Sequence, residues 1–134
     1  MLILKNNGLY LKKIAINYYD FVISTIVFQH IPSREVRWNL KKEIYRISKI
    51  VGSFSYQMRH CDTVDIRDNH SSYEDDAFDK EGSNGKCDVQ ITQVTDKTLI
   101  NDLLNIRYKN IETYVTNYFS DNSHQNWIYI HTEK

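Results

Sequence analysis

The stretch from Tyr18 to Met58 constrains the fold more than any other part of the chain. Its first part, Phe21 to Phe28, is a nearly continuous apolar run rich in β-branched residues, which is typical of a strand buried on both faces in a parallel sheet. Its last part, Ser53 to Met58, alternates polar and apolar residues with the period of two that a strand shows. These two patterns predict two strands.

A helix is predicted between these strands. Pro32 is excluded from helix interiors, and Ser33 can accept a hydrogen bond from an orphan backbone N–H, so the helix should begin near Arg34. One apolar stripe follows at helical spacing: Val36, Leu40, Ile44 and Ile47. The basic residues of the same segment are expected to point elsewhere: Arg34, Arg37, Lys41 and Lys42. Strand, helix and strand in this order predict a right-handed βαβ unit.

The rest of the chain predicts a second helix and two closing strands. Residues 1–17 are interpreted as a lead-in segment, and residues 59–86 as a long polar loop. Thr95 is a candidate N-cap for the second helix, whose buried stripe is predicted to contain three residues. They are Leu99, Leu103 and Ile106. Residues 111–118 and 127–132 are β-rich and separated by turn-forming residues, which predicts an antiparallel hairpin.

The composition restricts the kinds of partner and the cellular compartment that we expect for this protein. Lys plus Arg and Asp plus Glu both number 17, so no global field draws the chain to nucleic acid or to an anionic membrane surface. No apolar run approaches the roughly 18–20 residues that cross a bilayer. Cys61 and Cys87 lack a C-x-x-C spacing, which indicates reduced thiols. We therefore expect a cytoplasmic protein with neither a membrane nor a nucleic-acid partner.

Four short pieces of the chain carry a family resemblance. They are Tyr19-Asp20-Phe21-Val22-Ile23-Ser24, Phe28-Gln29-His30-Ile31-Pro32, Glu43-Ile44-Tyr45-Arg46 and Trp127-Ile128-Tyr129. Together with the order of elements over residues 18–134, they resemble the C-terminal half of class I S-adenosylmethionine-dependent methyltransferases. The resemblance implies an α/β, partial Rossmann-like fold, with a mostly parallel sheet and a C-terminal antiparallel hairpin. It also implies methyl transfer from S-adenosyl-L-methionine to an unknown small-molecule or macromolecular acceptor.

The chain departs from that family in two places. The turn after the first helix reads Ser48-Lys49-Ile50-Val51-Gly52, where family members commonly have Leu-Lys-Pro-Gly-Gly, so β-branched residues should strain or reshape it. The four glycines form no G-x-G pair: Gly8, Gly52, Gly82 and Gly85. The family holds its cofactor with such a turn and with an acidic residue on the ribose hydroxyls, and neither is found. We therefore expect a truncated relative that is inactive as an isolated chain.

The candidate site follows the first two strands, because ligands in open α/β sheets bind beyond the carboxyl ends of the strands. By resemblance, the segment from Ser24 to His30 borders the methionine end of the cofactor and the acceptor. His30 is the candidate catalytic base, since its unperturbed pKa lies near neutrality. In the alternative, His30 and Gln29 bond backbone groups and fix the loop. The candidates beside substrate or cofactor are Ser24, Thr25, Phe28, Gln29, Gln57 and His60.

No metal site is expected. His60, Cys61, Asp62 and Asp65 lie close in sequence, but their spacing fits no zinc pattern. Two functions from different classes therefore stay open. In the first, the chain is a methyltransferase-family protein, either one piece of a split enzyme or a relic. In the second, it is a non-catalytic interaction module. In the second case it pairs with a partner chain, or with itself, through an exposed sheet edge.

Overall fold

The computed structural model describes residues 10–31, 33–60, 93–117 and 126–134. Their helices and strands are β1 (Tyr19–Ser24), α1 (Arg34–Ile47), β2 (Ser48–His60), β3 (Gln93–Val94), α2 (Asp96–Ile106), β4 (Lys109–Asn117) and β5 (Asn126–Glu133), with a 3-10 turn at Phe28–His30. The predicted polar loop 59–86 lies outside the described residues except for Arg59 and His60, which end β2. Cys61 and Cys87 also lie outside them.

One mixed sheet joins the described strands in the order β1-β2-β5-β4, with β3 beside the end of β2. β1 and β3 run parallel to β2, whereas β5 runs antiparallel to both β2 and β4. The predicted antiparallel pair at the C-terminus is confirmed. The prediction of a mostly parallel sheet is wrong for the described strands, because β5 lies between β2 and β4 and makes both of these long pairings antiparallel.

Both helices begin where their capping residues predict. Ser33 Oγ accepts a hydrogen bond from Val36 N at 3.4 Å, and Thr95 Oγ1 accepts one from Thr98 N at 3.3 Å. Each bond satisfies an N–H that has no partner within the helix. α2 ends at Ile106, and its C-cap Arg107 has a φ of 85°, the left-handed conformation common at helix C-termini. The two predicted helices are therefore confirmed.

The two helices pack on one face of the sheet and form the core with it. Phe54 is 0% exposed, and its ring stacks on Tyr56 with centroids 4.8 Å apart. The buried cluster includes the predicted stripe of α2. Its members are Phe28, Ile44, Phe54, Tyr56, Met58, Val94, Leu99, Leu103, Ile106, Tyr108, Ile128 and Ile130. Alternate residues of β2 and β5 therefore face the helices, and the intervening residues face the opposite side of the sheet.

β1 is buried on its helix-facing side only. Val22 packs against the core, whereas Phe21 and Ile23 on the other face are 51% and 63% exposed. The strand also ends at Ser24, before the apolar run does. The prediction of a strand buried on both faces is wrong, because within the described ranges α1 and α2 both pack on the same side. No strand of those ranges pairs with the outer edge of β1.

Two basic residues of α1 are buried, contrary to the prediction that they point elsewhere. Arg37 and Lys41 are 2% and 1% exposed. The Arg37 guanidinium donates to the Ile31 carbonyl, and Lys41 Nζ donates to Asp102 Oδ2 at 3.1 Å. Asp102 lies on α2, so the counter-charge that allows Lys41 to be buried comes from a distant part of the chain.

The turn within the first residues of β2, directly after α1, is strained, as the sequence predicts. Val51 has a φ of 59°, in the left-handed region that a β-branched residue resists. Gly52 beside it is closely surrounded by backbone, since a Cβ there would lie 2.9 Å from the Lys49 carbonyl oxygen and 3.1 Å from that of Tyr19. Glycine therefore permits the close approach of this turn to β1.

Replacing Val51 with a residue that tolerates positive φ is expected to stabilise the fold. Val51 is 80% exposed, so Val51→Asn removes little packing while relieving backbone strain. We expect the free energy of unfolding in urea to rise by about 1 kcal/mol. Ile50→Asn is the matched control, because Ile50 is 73% exposed and has no positive φ. An equal gain from both substitutions would show that the backbone conformation is not the cause.

Candidate functional site

The loop after β1 is held in an unusual backbone conformation. Ile26 is β-branched but has a φ of 58°. Phe28 anchors the following 3-10 turn, because its side chain is 2% exposed and its ring centroid lies 5.1 Å from that of Tyr56. Backbone strain of this kind is found more often at ligand-binding sites than elsewhere. The candidate loop is therefore fixed by core packing at its C-terminal end.

Gln29 and His30 bond to each other in this loop. Gln29 Nε2 donates to His30 Nε2 at 3.2 Å, because an amide NH₂ group can only donate. His30 Nε2 is therefore the acceptor of this bond. Gln29 is 2% exposed, and its Oε1 has no hydrogen-bond partner among the residues described. This contact favours a loop-fixing role for the pair, and the role of His30 as a base stays a prediction.

A cavity of about 430 Å³ lies on the face of the sheet opposite the helices. It begins at the carboxyl end of β1 and extends over β2, β5 and β4. Residues of all four strands and of the loop after β1 line it: Ile23, Ser24, Thr25, Ser55, Tyr56, Gln57, Glu112, Thr113, Tyr114, Tyr129, Ile130 and His131. Its volume falls within the range of roughly 300–1,000 Å³ that is usual for small-molecule sites.

A polar row crosses the floor of the cavity. Ser55 lies opposite His131, which in turn lies opposite Glu112. Ser55 Oγ and His131 Nδ1 are 2.7 Å apart and hydrogen-bonded, and the hydroxyl can serve as donor or acceptor. This row places a hydroxyl and an imidazole next to one carboxylate.

An aromatic row lies beside the polar one. Tyr114 and Tyr129 face each other across β4 and β5, with 68% and 39% of their surfaces exposed. At the end of the same face, the Arg59 guanidinium lies 4.8 Å from the centroid of the Trp127 ring. The cavity therefore combines exposed ring surfaces with polar groups, which is the usual composition of a small-molecule site.

The structure divides the predicted site residues into separate groups. Three line the cavity: Ser24, Thr25 and Gln57. Two are buried: Phe28 and Gln29. His30 is exposed, and His60, 6% exposed, closes β2. Sequence reasoning missed the cavity residues of β4 and β5, because their position depends on the register of β5 against β2 and β4. Only Ser55 could have been found, since it alternates in phase with Gln57.

A buried polar cluster lies on the helix side of the sheet. Burial lowers the pKa of Lys41 to about 8, while the Asp102 carboxylate acts against this shift. Burial raises the pKa of Tyr56, whose hydroxyl has no hydrogen-bond partner in the described ranges. Lys41 Nζ lies 5.7 Å from the Tyr56 ring centroid. Lys41 does not line the cavity, so we assign the cluster to the packing of α1 on α2.

The described residues do not fit S-adenosylmethionine. Among the described residues, Glu112 is the one carboxylate that lines the cavity, and it lies on β4 rather than at the carboxyl end of β1 or β2. The glycine of the described ranges, Gly52, lies near the start of β2, at the opposite end of the sheet. No backbone of the described loop after β1 therefore offers the close approach that a glycine-rich turn gives the cofactor.

Clusters of metal ligands and membrane-spanning helices are both absent from the described ranges. They contain no group of three or more His, Cys, Asp or Glu residues that could hold a metal ion. Cys61, Asp62 and Asp65 lie outside these ranges. Neither α1 nor α2 has the length and apolar character needed to cross a membrane.

The fold matches solved methyltransferase structures. An S-adenosylmethionine-dependent methyltransferase of Methanosarcina mazei superposes with a TM-score of 0.70 at 13% identity, covering 96% of this chain and 65% of that one. One from Archaeoglobus fulgidus superposes with a TM-score of 0.63 at 14% identity, covering 98% of this chain and 66% of that one. Phosphoethanolamine N-methyltransferase 2 of Haemonchus contortus superposes with a TM-score of 0.61 at 15% identity, covering 90% of this chain and 35% of that one. That structure is a complex with S-adenosylhomocysteine and phosphomonomethylethanolamine.

These matches establish a partial class I methyltransferase fold, as the sequence resemblance predicted. The chain spans between about one third and two thirds of the solved chains to which it is similar. No protein-family model and no curated protein sequence matches it. At identities of 10–20% the likeness defines the fold alone.

Proposed function

We propose that this chain supplies the acceptor side of an S-adenosylmethionine-dependent methyltransferase site, at the carboxyl ends of β1 and β2. One observation carries the proposal. A single cavity in a partial methyltransferase fold is lined by three residues that the sequence predicts for that side: Ser24, Thr25 and Gln57. A small molecule fits its volume of about 430 Å³. The methyl acceptor itself is unknown.

The side chains of this cavity suit the positioning of an acceptor. The hydroxyls of Ser24 and Thr25 and the amide of Gln57 can orient a nucleophile without carrying charge. Orientation and desolvation of the nucleophile supply much of the acceleration in a transfer between two bound groups. For His30 to accept a proton from the acceptor, its Nε2 must first release the Gln29 amide.

Cofactor binding is expected to need polypeptide in addition to the residues of this sequence. S-adenosyl-L-methionine is the cofactor that the resemblance implies, and two of the matched structures hold S-adenosylhomocysteine. The sequence contains no G-x-G turn, and the described residues do not supply a substitute. The isolated chain is therefore proposed to bind acceptor-like molecules but not the cofactor.

Titration of the ¹⁵N-labelled chain, followed by NMR, separates these two binding events. Small amines, phenols and carboxylates are added one at a time. We expect one of these classes to shift the backbone amide signals of Ser24, Thr25 and Gln57 together. Gln57→Ala weakens that binding by about tenfold, the effect of one polar contact of about 1.4 kcal/mol. In a separate calorimetric titration, S-adenosylmethionine gives no saturable signal.

Ser53→Ala is the control, because Ser53 lies on the same strand and face as Gln57 but outside the cavity. It leaves the acceptor titration unchanged. A panel that moves none of the three amides contradicts the acceptor site. Micromolar binding of S-adenosylmethionine to the isolated chain contradicts the requirement for further polypeptide.

A second candidate function is a non-catalytic interaction module. The observation that favours it is the outer edge of β1, where Phe21 and Ile23 are more than half exposed beside backbone that no described strand pairs. Exposed apolar edge strands are templates for pairing with another chain. In this function the partial fold serves as a scaffold for that edge.

A further inference from the structure

We propose that two copies of this chain associate through the outer edges of their β1 strands, forming one continuous sheet across a two-fold axis. This pairing deepens the interaction-module candidate by naming its partner, and it does not depend on methyl transfer. β1 is the terminal strand in the order of the described sheet, and its other edge is paired with β2. The surface involved therefore consists of Tyr19–Ser24 and the apolar residues that flank it.

Within the described ranges, the edge of β1 carries neither lysine nor proline, two of the residue types that normally prevent pairing. Edge strands are usually protected by lysines, prolines, bulges that twist the edge away, or covering elements. The one charged residue of Tyr19–Ser24 is Asp20. The Asp20 carboxylate is already held by Lys49 Nζ, at 2.8 and 2.9 Å from its two oxygens. The edge therefore presents apolar side chains without an uncompensated charge.

The sequence of β1 complements itself in the antiparallel direction. With the two-fold axis at Val22, Phe21 of one copy lies opposite the partner's Ile23, and the same pair forms again across the axis. Both pairs join an aromatic residue to a β-branched one, a combination that stabilises antiparallel strands. Asp20 then lies opposite the partner's Ser24, so the two carboxylates do not face each other.

The exposed apolar surface continues beyond the strand. Ile26 and Val27, in the loop after β1, are 57% and 49% exposed, and Tyr18 before the strand is 60% exposed. Removal of this apolar surface from water favours association. The chain carries 17 basic and 17 acidic residues, so two copies do not repel each other through net charge. These features favour a second copy as the partner.

The interface is small, which sets the expected affinity. Pairing over six residues a side buries less than the roughly 1,200 Å² of a stable interface, so the dimer is weak and depends on concentration. In sedimentation equilibrium, the weight-average mass should rise with concentration from 16.0 kDa towards twice that value. Ile23→Lys places a charge at the centre of the interface and should weaken association at least tenfold.

Leu104→Lys is the matched control for this variant. Leu104 is 55% exposed on α2, and the substitution adds the same charge in place of a similar apolar side chain. It should leave the association constant unchanged. Circular dichroism of both variants checks that they fold.

The register is tested by disulfide cross-linking, which also covers the case in which Ile23→Lys does not fold. Two single-cysteine chains are made in a background that carries Cys61→Ser and Cys87→Ser, one with Phe21→Cys and one with Ile23→Cys. Mixed and oxidised, they should link to each other in preference to either chain linking to itself. A mass of 16.0 kDa at every concentration, equal weakening by Leu104→Lys, or preferential self-linking would each overturn the proposal.

Discussion

Asp102→Asn is expected to lower the free energy of unfolding at pH 7 by about 3–5 kcal/mol, the usual cost of leaving a buried charge without its partner. Lys41 Nζ lies 3.1 Å from Asp102 Oδ2, and only 1% of the Lys41 side chain is exposed. The substitution nearly preserves shape while removing the negative charge. Urea unfolding, followed by circular dichroism, measures the change.

The exposed ion pair of the same fold provides the control. Lys49 and Asp20 form a 2.8 Å pair whose side chains are 46% and 82% exposed, so Asp20→Asn should change the stability far less than Asp102→Asn does. Replacing both buried partners, with Lys41→Met and Asp102→Leu, should recover most of the stability, because neither charge of this pair is then left buried without the other. Equal losses from Asp102→Asn and Asp20→Asn would show that burial does not govern the pair.

The local features of this fold could be predicted from the sequence because their causes are local. Ser33 and Thr95 each satisfy an N–H group three residues away, and the stripe of α2 follows from helical spacing. The strain at Val51 likewise follows from a β-branched residue in a turn that usually contains glycine.

The features that depend on contacts between distant segments could not be predicted. Lys41 has the pattern of an exposed helix residue, and its burial depends on Asp102, which is 61 positions away. The apolar run of β1 was interpreted as buried on both faces because the pattern cannot report whether a second layer of helices is present. The cavity was predicted in part, since Ser24, Thr25 and Gln57 follow from strand order, whereas Tyr114 and His131 require the register of three strands.

The free energy of unfolding is expected to rise as the pH increases from about 8 to about 10. Burial lowers the pKa of Lys41 to about 8 in the folded chain, from 10.5 in the unfolded one. In this window the unfolded chain retains the Lys41 proton that the folded chain releases, so raising the pH stabilises the folded state. With 1.36 kcal/mol for each unit, the gain is between about 2 and 3 kcal/mol. Urea unfolding at intervals of half a pH unit measures it.

Above about pH 10 the sign reverses. Burial raises the pKa of Tyr56 and of Tyr108 in the folded chain, so the unfolded chain loses those phenolic protons first and is favoured by alkali. The stability should therefore pass through a maximum near pH 10. Lys41→Met should abolish the rise below that maximum and retain the fall above it. Lys49→Met, at a half-exposed position, should retain both. A rise of unchanged size in Lys41→Met would assign it to another group, because that variant has no lysine at this position to titrate.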